Sequence, residues 1–270
     1  MEVAVIINNL KQAKDIEDLV QAFIVPIKNY SINLGEGFDI EDVRELQKLN
    51  KEIFVLVNKN IHNNELNGLK KLLLNLEKLQ VKGIIFYDIA LVEFKKKLGL
   101  KTDLVWAQEH LVTNYATINY WYEKGIKYAY LSSELTKKEM MDIKANTKAK
   151  LFINVFGYIP MFTSRRHLVN NYINYFDLDS RGKSQKLAKE GKKYPIVDGK
   201  YGTTVYSNYV LNLTLEEFGS MDYAVFNSLM IAADDFKKVL IDYHQKVNNS
   251  FPIEQGFLYT ETIYKVKKNG

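Results

Sequence analysis

Two kinds of apolar pattern alternate along this chain. The first is short, unbroken and rich in β-branched and aromatic residues. It recurs as VAVII (3–7), AFIVPI (22–27), IFVLV (53–57), GIIFY (83–87), DLVWA (103–107), KYAYL (127–131), LFINVF (151–156) and DYAVF (222–226). Runs of this kind suit strands covered on both faces, as in a parallel sheet.

The second pattern repeats apolar residues at helical spacing. After Asp39, residues Ile40, Val43, Leu46 and Leu49 share one helix face, and Leu66, Leu69, Leu72, Leu73 and Leu76 share another. Thr136 and Glu139 have the spacing of a capping box at the head of TKKEMMDI. Phe236, Val239, Leu240 and Tyr243 form a stripe behind Asp234 and Asp235, an acidic first turn that suits the helix dipole. These stripes are core packing.

Strand–helix alternation carried eight times in 270 residues predicts a closed (β/α)8 barrel of the TIM type, with a doubly wound open sheet as the runner-up. The alternation breaks between 158 and 221. There YPIVDGKYGTTVYS sets Asp198-Gly199 between two strand-like arms, a hairpin signature. The expected organisation is one barrel domain over 1–250, with an insertion at 158–221 between the seventh and eighth strands. A tail, 251–270, then packs on the barrel or pairs with another chain.

Composition narrows the setting. With 47% hydrophobic and 26% charged residues, the chain reads as an ordinary soluble globular protein. No apolar run approaches the roughly 20 residues that span a bilayer. MEVAVII has no basic segment ahead of its apolar run, so it reads as a first strand and the protein as cytoplasmic. There is no cysteine, which removes disulfides, cysteine nucleophiles, zinc–thiolate sites and cysteine-held iron–sulfur clusters. The net charge of +5 is spread out, and it allows a nucleic-acid partner without indicating one.

Familiar catalytic motifs are missing. There is no His-Glu-x-x-His pair and no Gly-x-Ser-x-Gly elbow. RGKS (181–184) ends like a phosphate loop, but Asp177 stands where that loop needs a glycine. LGEGF (34–38) reads as a tight turn out of the second strand.

In a barrel of this type, chemistry gathers at the C-terminal ends of the strands. Those ends carry Asn8, Asn58, Asp88, Gln108-Glu109-His110, Ser132-Ser133-Glu134, Asn154 and Asn227. Asp88, Glu109 and Glu134 are the candidate acid–base groups, and with His110 they are candidates to hold a hard divalent metal ion. Asn58 and Asn154 are candidate ligand contacts. The plainer alternative is that Asp, Asn and Ser after a strand cap the next helix. Of the four histidines, His62 and His244 read as structural, while His110 and His167 are placed to reach the mouth. In FGYIPMFTSRRH, Gly157 lets the chain turn out of the seventh strand. Arg165 and Arg166 are planar donors suited to carboxylate or phosphate, so they and His167 favour an acidic small-molecule ligand, unless they salt-bridge acids nearby.

The ordered set LGEGF, LVNKNIHNNEL, GIIFYDIAL, AQEHLVTN, YLSSELTKKEM, INVFGYIPMFTSRRHL and YPIVDGKYGTTVYSNYVLNL resembles the collagenase-like peptidase family, number 32 of the unclassified peptidases. The resemblance covers nearly the whole chain. It implies a barrel domain and a peptide hydrolase, for which the strand-end residues Asp88, Glu109, His110 and Glu134 are the candidate catalytic groups. It also implies a second kind of relative, which hydroxylates RNA bases or a quinone precursor with a cysteine-held iron–sulfur cluster. Where such relatives read His-Gly after strand seven, followed by two cysteines, this chain has Phe156-Gly157, Pro160 and His167. The alternative to a peptidase is therefore a non-catalytic ligand-binding subunit, or a partner of a cluster-bearing paralogue in RNA or quinone-precursor hydroxylation.

Overall fold

The computed structural model describes residues 1–32, 37–178, 186–214 and 218–260. RGKS and most of LGEGF lie outside the described residues. The chain opens with β1 (Glu2–Ile6), α1 (Leu10–Asp15), β2 (Ala22–Pro26), α2 (Ile40–Gln47), β3 (Glu52–Val57), α3 (Leu66–Leu79) and β4 (Gly83–Phe86). It continues with α4 (Ala90–Leu98), β5 (Asp103–Trp106), α5 (Tyr115–Glu123), β6 (Tyr128–Tyr130), α6 (Lys137–Ala145) and β7 (Lys150–Ser164). After β7 come α7 (Leu168–Tyr175), β8 (Lys186–Lys189), β9 (Lys192–Gly199) and β10 (Gly202–Asn212). The last elements are β11 (Tyr223–Asn227) and α8 (Ala233–His244).

Strands β1 to β7 pair in parallel with their sequence neighbours, and β11 pairs with both β1 and β7. The ring is closed, a TIM-like barrel of eight parallel strands with the other strands outside it. Two-residue alternation sorts the side chains. Ile6, Ile24, Phe54, Leu56, Ile85, Val105, Phe152 and Tyr223 fill the lumen, while Val3, Val5, Phe23, Val25, Val55 and Val57 pack beneath the helices. Low in the lumen, Phe152 and Tyr223 stack at 4.2 Å, and Phe54 meets both rings edge-on. This aromatic layer closes the N-terminal end of the barrel.

The helices start where their caps place them. Asp39 accepts from the Glu41 and Asp42 N–H groups and Asp42 bonds back, while Thr136 and Glu139 form the expected reciprocal box. The leucine stripe of α3 and the Phe236, Val239, Leu240 stripe of α8 are buried, so the strands lie between two layers of apolar side chains.

β7 runs far beyond the barrel. At Gly157 the backbone takes φ +120°, and an added Cβ would lie 2.4 Å from the Asn227 carbonyl oxygen. Only glycine fits there. From Phe156 to Ser164 the strand pairs antiparallel with β10, which pairs with β9, and β9 with β8. The hairpin is present, but Gly199 pairs with Gly202, so its turn is Lys200-Tyr201 rather than Asp198-Gly199. Asp198 has another task. Its carboxylate accepts from the Asn170 N–H and the Thr203 hydroxyl and meets His167, tying α7 to the hairpin.

The tip of this hairpin lands on the opposite side of the ring. Lys200 and Tyr201 bond Asn29, just after β2. Lys59, just after β3, is buried with its ammonium 5.2 Å from the Tyr201 ring, 5.4 Å from the Tyr30 ring and ion-paired to Glu65. The insertion is thus a strap across the barrel mouth. The segment after α8 lies beside it, with the Asn212 N–H donating to Glu254 O and Leu258 buried.

Candidate functional site

Beneath the strap, at the C-terminal ends of the strands, is a cavity of about 130 Å³. Its floor is Ile6, Leu56, Ile85 and Ala107, and its cover is Ile159, Pro160 and Met161 of β7 with Phe257. Five tyrosines line it: Tyr87, Tyr130, Tyr158, Tyr206 and Tyr209. The described lining includes two carboxylates, Glu109 and Glu134, and no lysine or arginine.

Glu109 is the central polar group. Its backbone holds φ +32°, a left-handed conformation uncommon for a residue with a side chain. The turn lets the chain leave β5 and still direct the carboxylate to Tyr87, whose hydroxyl donates to Oε1 at 2.7 Å. The neighbouring residues hold this pair in place. Gln108 donates to the Tyr87 carbonyl at 2.6 Å and accepts from the Trp106 indole at 2.9 Å. Across the cavity, the Tyr130 hydroxyl donates to Asn154 at 2.5 Å, and Asn154 donates to Ser133 at 2.7 Å. Asn58 is buried and takes both polar groups of Ile32, accepting from its N–H at 2.9 Å and donating to its carbonyl at 3.3 Å.

Burial pushes the pKa values of the Tyr87, Tyr130 and Tyr206 phenols up, and the Glu109 charge raises them further. All three remain protonated donors across the ordinary pH range.

The structure separates the residues expected to act together. Asn58, Glu109, His110, Glu134 and Asn154 line the cavity. His110 and Glu134 face each other at its rim, Nδ1 to Oε1 3.3 Å, both side chains more than half exposed. Asp88 does not line it. Its oxygens accept from the Ala90 N–H at the start of α4 and from the Ile61 N–H, which is the capping role. Arg165, Arg166 and His167 also lie outside the lining, because β7 crosses the mouth before reaching them. Arg165 donates to the Asn60 carbonyl and lies 3.9 Å from Glu65. Arg166 is exposed, its N–H on Ser164, and His167 is held by Asp198 at 3.0 Å. The cations expected to meet an acidic ligand thus stand outside this cavity.

Among the described residues no three His, Asp or Glu side chains gather as a metal set. A thiolate-held cluster does not fit the residues of this chain, which has no cysteine. Of the positions matched to the relatives' pattern, Phe156 packs on Phe226, Phe236 and Phe251, Pro160 covers the cavity, and His167 is paired.

Reading the strand ends found the carboxylates and missed the tyrosines. Tyr87 and Tyr130 follow their strands' inward-facing positions by two residues, and that parity was the available signal.

No helix among the described residues is long and apolar enough to cross a membrane. The chain resembles "tRNA hydroxylation protein P2" of Bacillus subtilis (strain 168), 26% identical over 93% of this chain and 96% of that protein. "tRNA hydroxylation protein P1" of the same strain is 22% identical over 64% of this chain, which spans only 42% of P1. Among solved structures, the U32 peptidase Mk0906 superposes with a TM-score of 0.53 at 14% identity, over 84% of this chain and 92% of that one, a likeness of fold. The names of the relatives overturn the expected peptide hydrolase: they are hydroxylation proteins, matched over nearly the whole chain in one case. The profile described as Peptidase family U32 matches residues 10–212, and the chain belongs to that family.

Proposed function

We propose that this chain serves tRNA hydroxylation as a ligand-binding subunit beside a family member that carries the cluster. The observation behind this reading is the end-to-end likeness to tRNA hydroxylation protein P2. Two further facts support the division of labour. One organism has both a P1 and a P2 that match this chain, and this chain has no thiolate with which to hold a cluster. Its part is then to shape a site and bind, while the redox group belongs to the partner.

The test is genetic and chemical. The gene is deleted in its native host and the nucleosides of bulk tRNA are compared by mass spectrometry. A tagged copy is recovered in parallel and its companions identified. Loss of one hydroxylated nucleoside, with a cysteine-bearing family member in the pull-down, is the expected result. An unchanged nucleoside profile overturns the role.

A further inference from the structure

Charge and shape disagree at the mouth of this barrel in a way that identifies a ligand. The chain carries a net +5, yet the described lining of its cavity holds two carboxylates and no lysine or arginine. The one basic side chain present, His110, is turned to Glu134 at the rim. Deeper in, Glu109 accepts a single neutral donor, the Tyr87 hydroxyl, and no cation among the described residues reaches it. A carboxylate set among apolar and aromatic walls attracts a positive guest and repels a negative one.

The walls add a second attraction. Tyr87, Tyr130, Tyr158, Tyr206 and Tyr209 surround the space with ring faces and edges. Aromatic faces bind ammonium groups through their quadrupoles, more strongly when water is excluded. The protein already makes such a contact nearby, where Lys59 sits between Tyr30 and Tyr201 with Glu65 as its counter-ion. There the cation is part of the chain. In the cavity the aromatic rings and the carboxylate are present and the described chain supplies no cation.

We infer that the cavity under the strap is a receptor for a small organic cation, an ammonium group carried on an apolar or aromatic body. The ammonium pairs with Glu109 and the body lies against the tyrosines over the Leu56–Ile85 floor. Glu134 at the rim adds attraction on entry. This goes beyond the role in tRNA hydroxylation and does not depend on it.

The test uses three probes of one shape: benzylammonium chloride, benzyl alcohol and sodium benzoate, titrated calorimetrically into the full chain at fixed ionic strength. Benzylammonium binds about tenfold more tightly than benzyl alcohol, and benzoate more weakly than either. Glu109→Gln, which keeps size and shape, removes the preference for the ammonium, and Glu134→Gln weakens it less. Thermal melts establish that the variants fold, and the wild-type series decides the question if they do not. Benzoate binding as well as benzylammonium, no binding by any of the three, or an undiminished preference in folded Glu109→Gln overturns the inference. None of these outcomes alters the tRNA nucleoside profile, so the two readings fail separately.

Discussion

The Tyr87 hydroxyl donates to Glu109 at 2.7 Å, joining the end of β4 to the residue that turns out of β5. Removing the hydroxyl leaves a half-buried carboxylate short of its donor. Tyr87→Phe is therefore expected to cost about 1–3 kcal/mol, read from the midpoint of urea unfolding. Tyr130→Phe, which orphans Asn154 in the same way, should fall in the same range, and an unchanged midpoint in both would show that solvent replaces these bonds.

Alkali should expose the buried phenols. Burial raises the pKa values of Tyr87, Tyr130, Tyr206 and Tyr223, while an unfolded tyrosine ionises at about 10. The unfolded chain loses these protons first. The stability they contribute is complete below about pH 10 and declines as pH climbs toward the folded-state values. Denaturation at pH 8 and pH 11 measures the decline, and absorbance of tyrosinate should show a fraction of the phenols ionising only as the protein unfolds.

Gly157 is the joint between barrel and strap. Gly157→Ala forces a side chain into a φ of +120° and against the Asn227 carbonyl, with about 1–3 kcal/mol for the backbone alone. Gly99 offers the control. It has φ +63° with nothing within 4 Å of an added Cβ, so Gly99→Ala should cost roughly 1–2 kcal/mol. Equal thermal shifts for the two would mean that β7 relieves the clash by moving.

These positions show what could be read in advance. The eight strands were legible because each is an unbroken apolar run, a consequence of being covered inside and out. The length of β7 was not. Beyond Gly157 it leaves the core and, among the described residues, pairs with β10 alone, so its residues lose the apolar continuity that announces a barrel strand. The turn of the hairpin was misplaced by two residues because Asp198 is engaged by α7, a contact distant enough that no local pattern reports it. At the mouth, Glu109 and Glu134 were found by position. Asp88 looked the same in sequence, and its capping bonds separate it only in three dimensions.

Tyr201 fastens the strap to Lys59 and Asn29. Tyr201→Ala should leave the barrel's unfolding midpoint nearly unchanged while amide exchange in β9 and β10 accelerates. Protection unaltered along the hairpin would place the anchorage elsewhere.

Lys186, Lys189, Lys192 and Lys193 are exposed on β8 and β9. If tRNA lies along them, Lys192→Glu with Lys193→Glu lowers tRNA affinity and flattens its dependence on salt, each lost phosphate contact reducing the log–log slope by about 0.9. Filter binding across a salt series checks this, and an unaltered slope would exclude that sheet from the footprint.

The strap also settles the direction of traffic. With the bridge fixed at both banks over the barrel axis, a guest that enters past the exposed pair of His110 and Glu134 comes in from the side. A bulky polymer cannot follow that course as a body. If tRNA is the guest, it halts outside and extends one narrow projection beneath the bridge, and the doorway then selects protruding groups whatever the mass behind them.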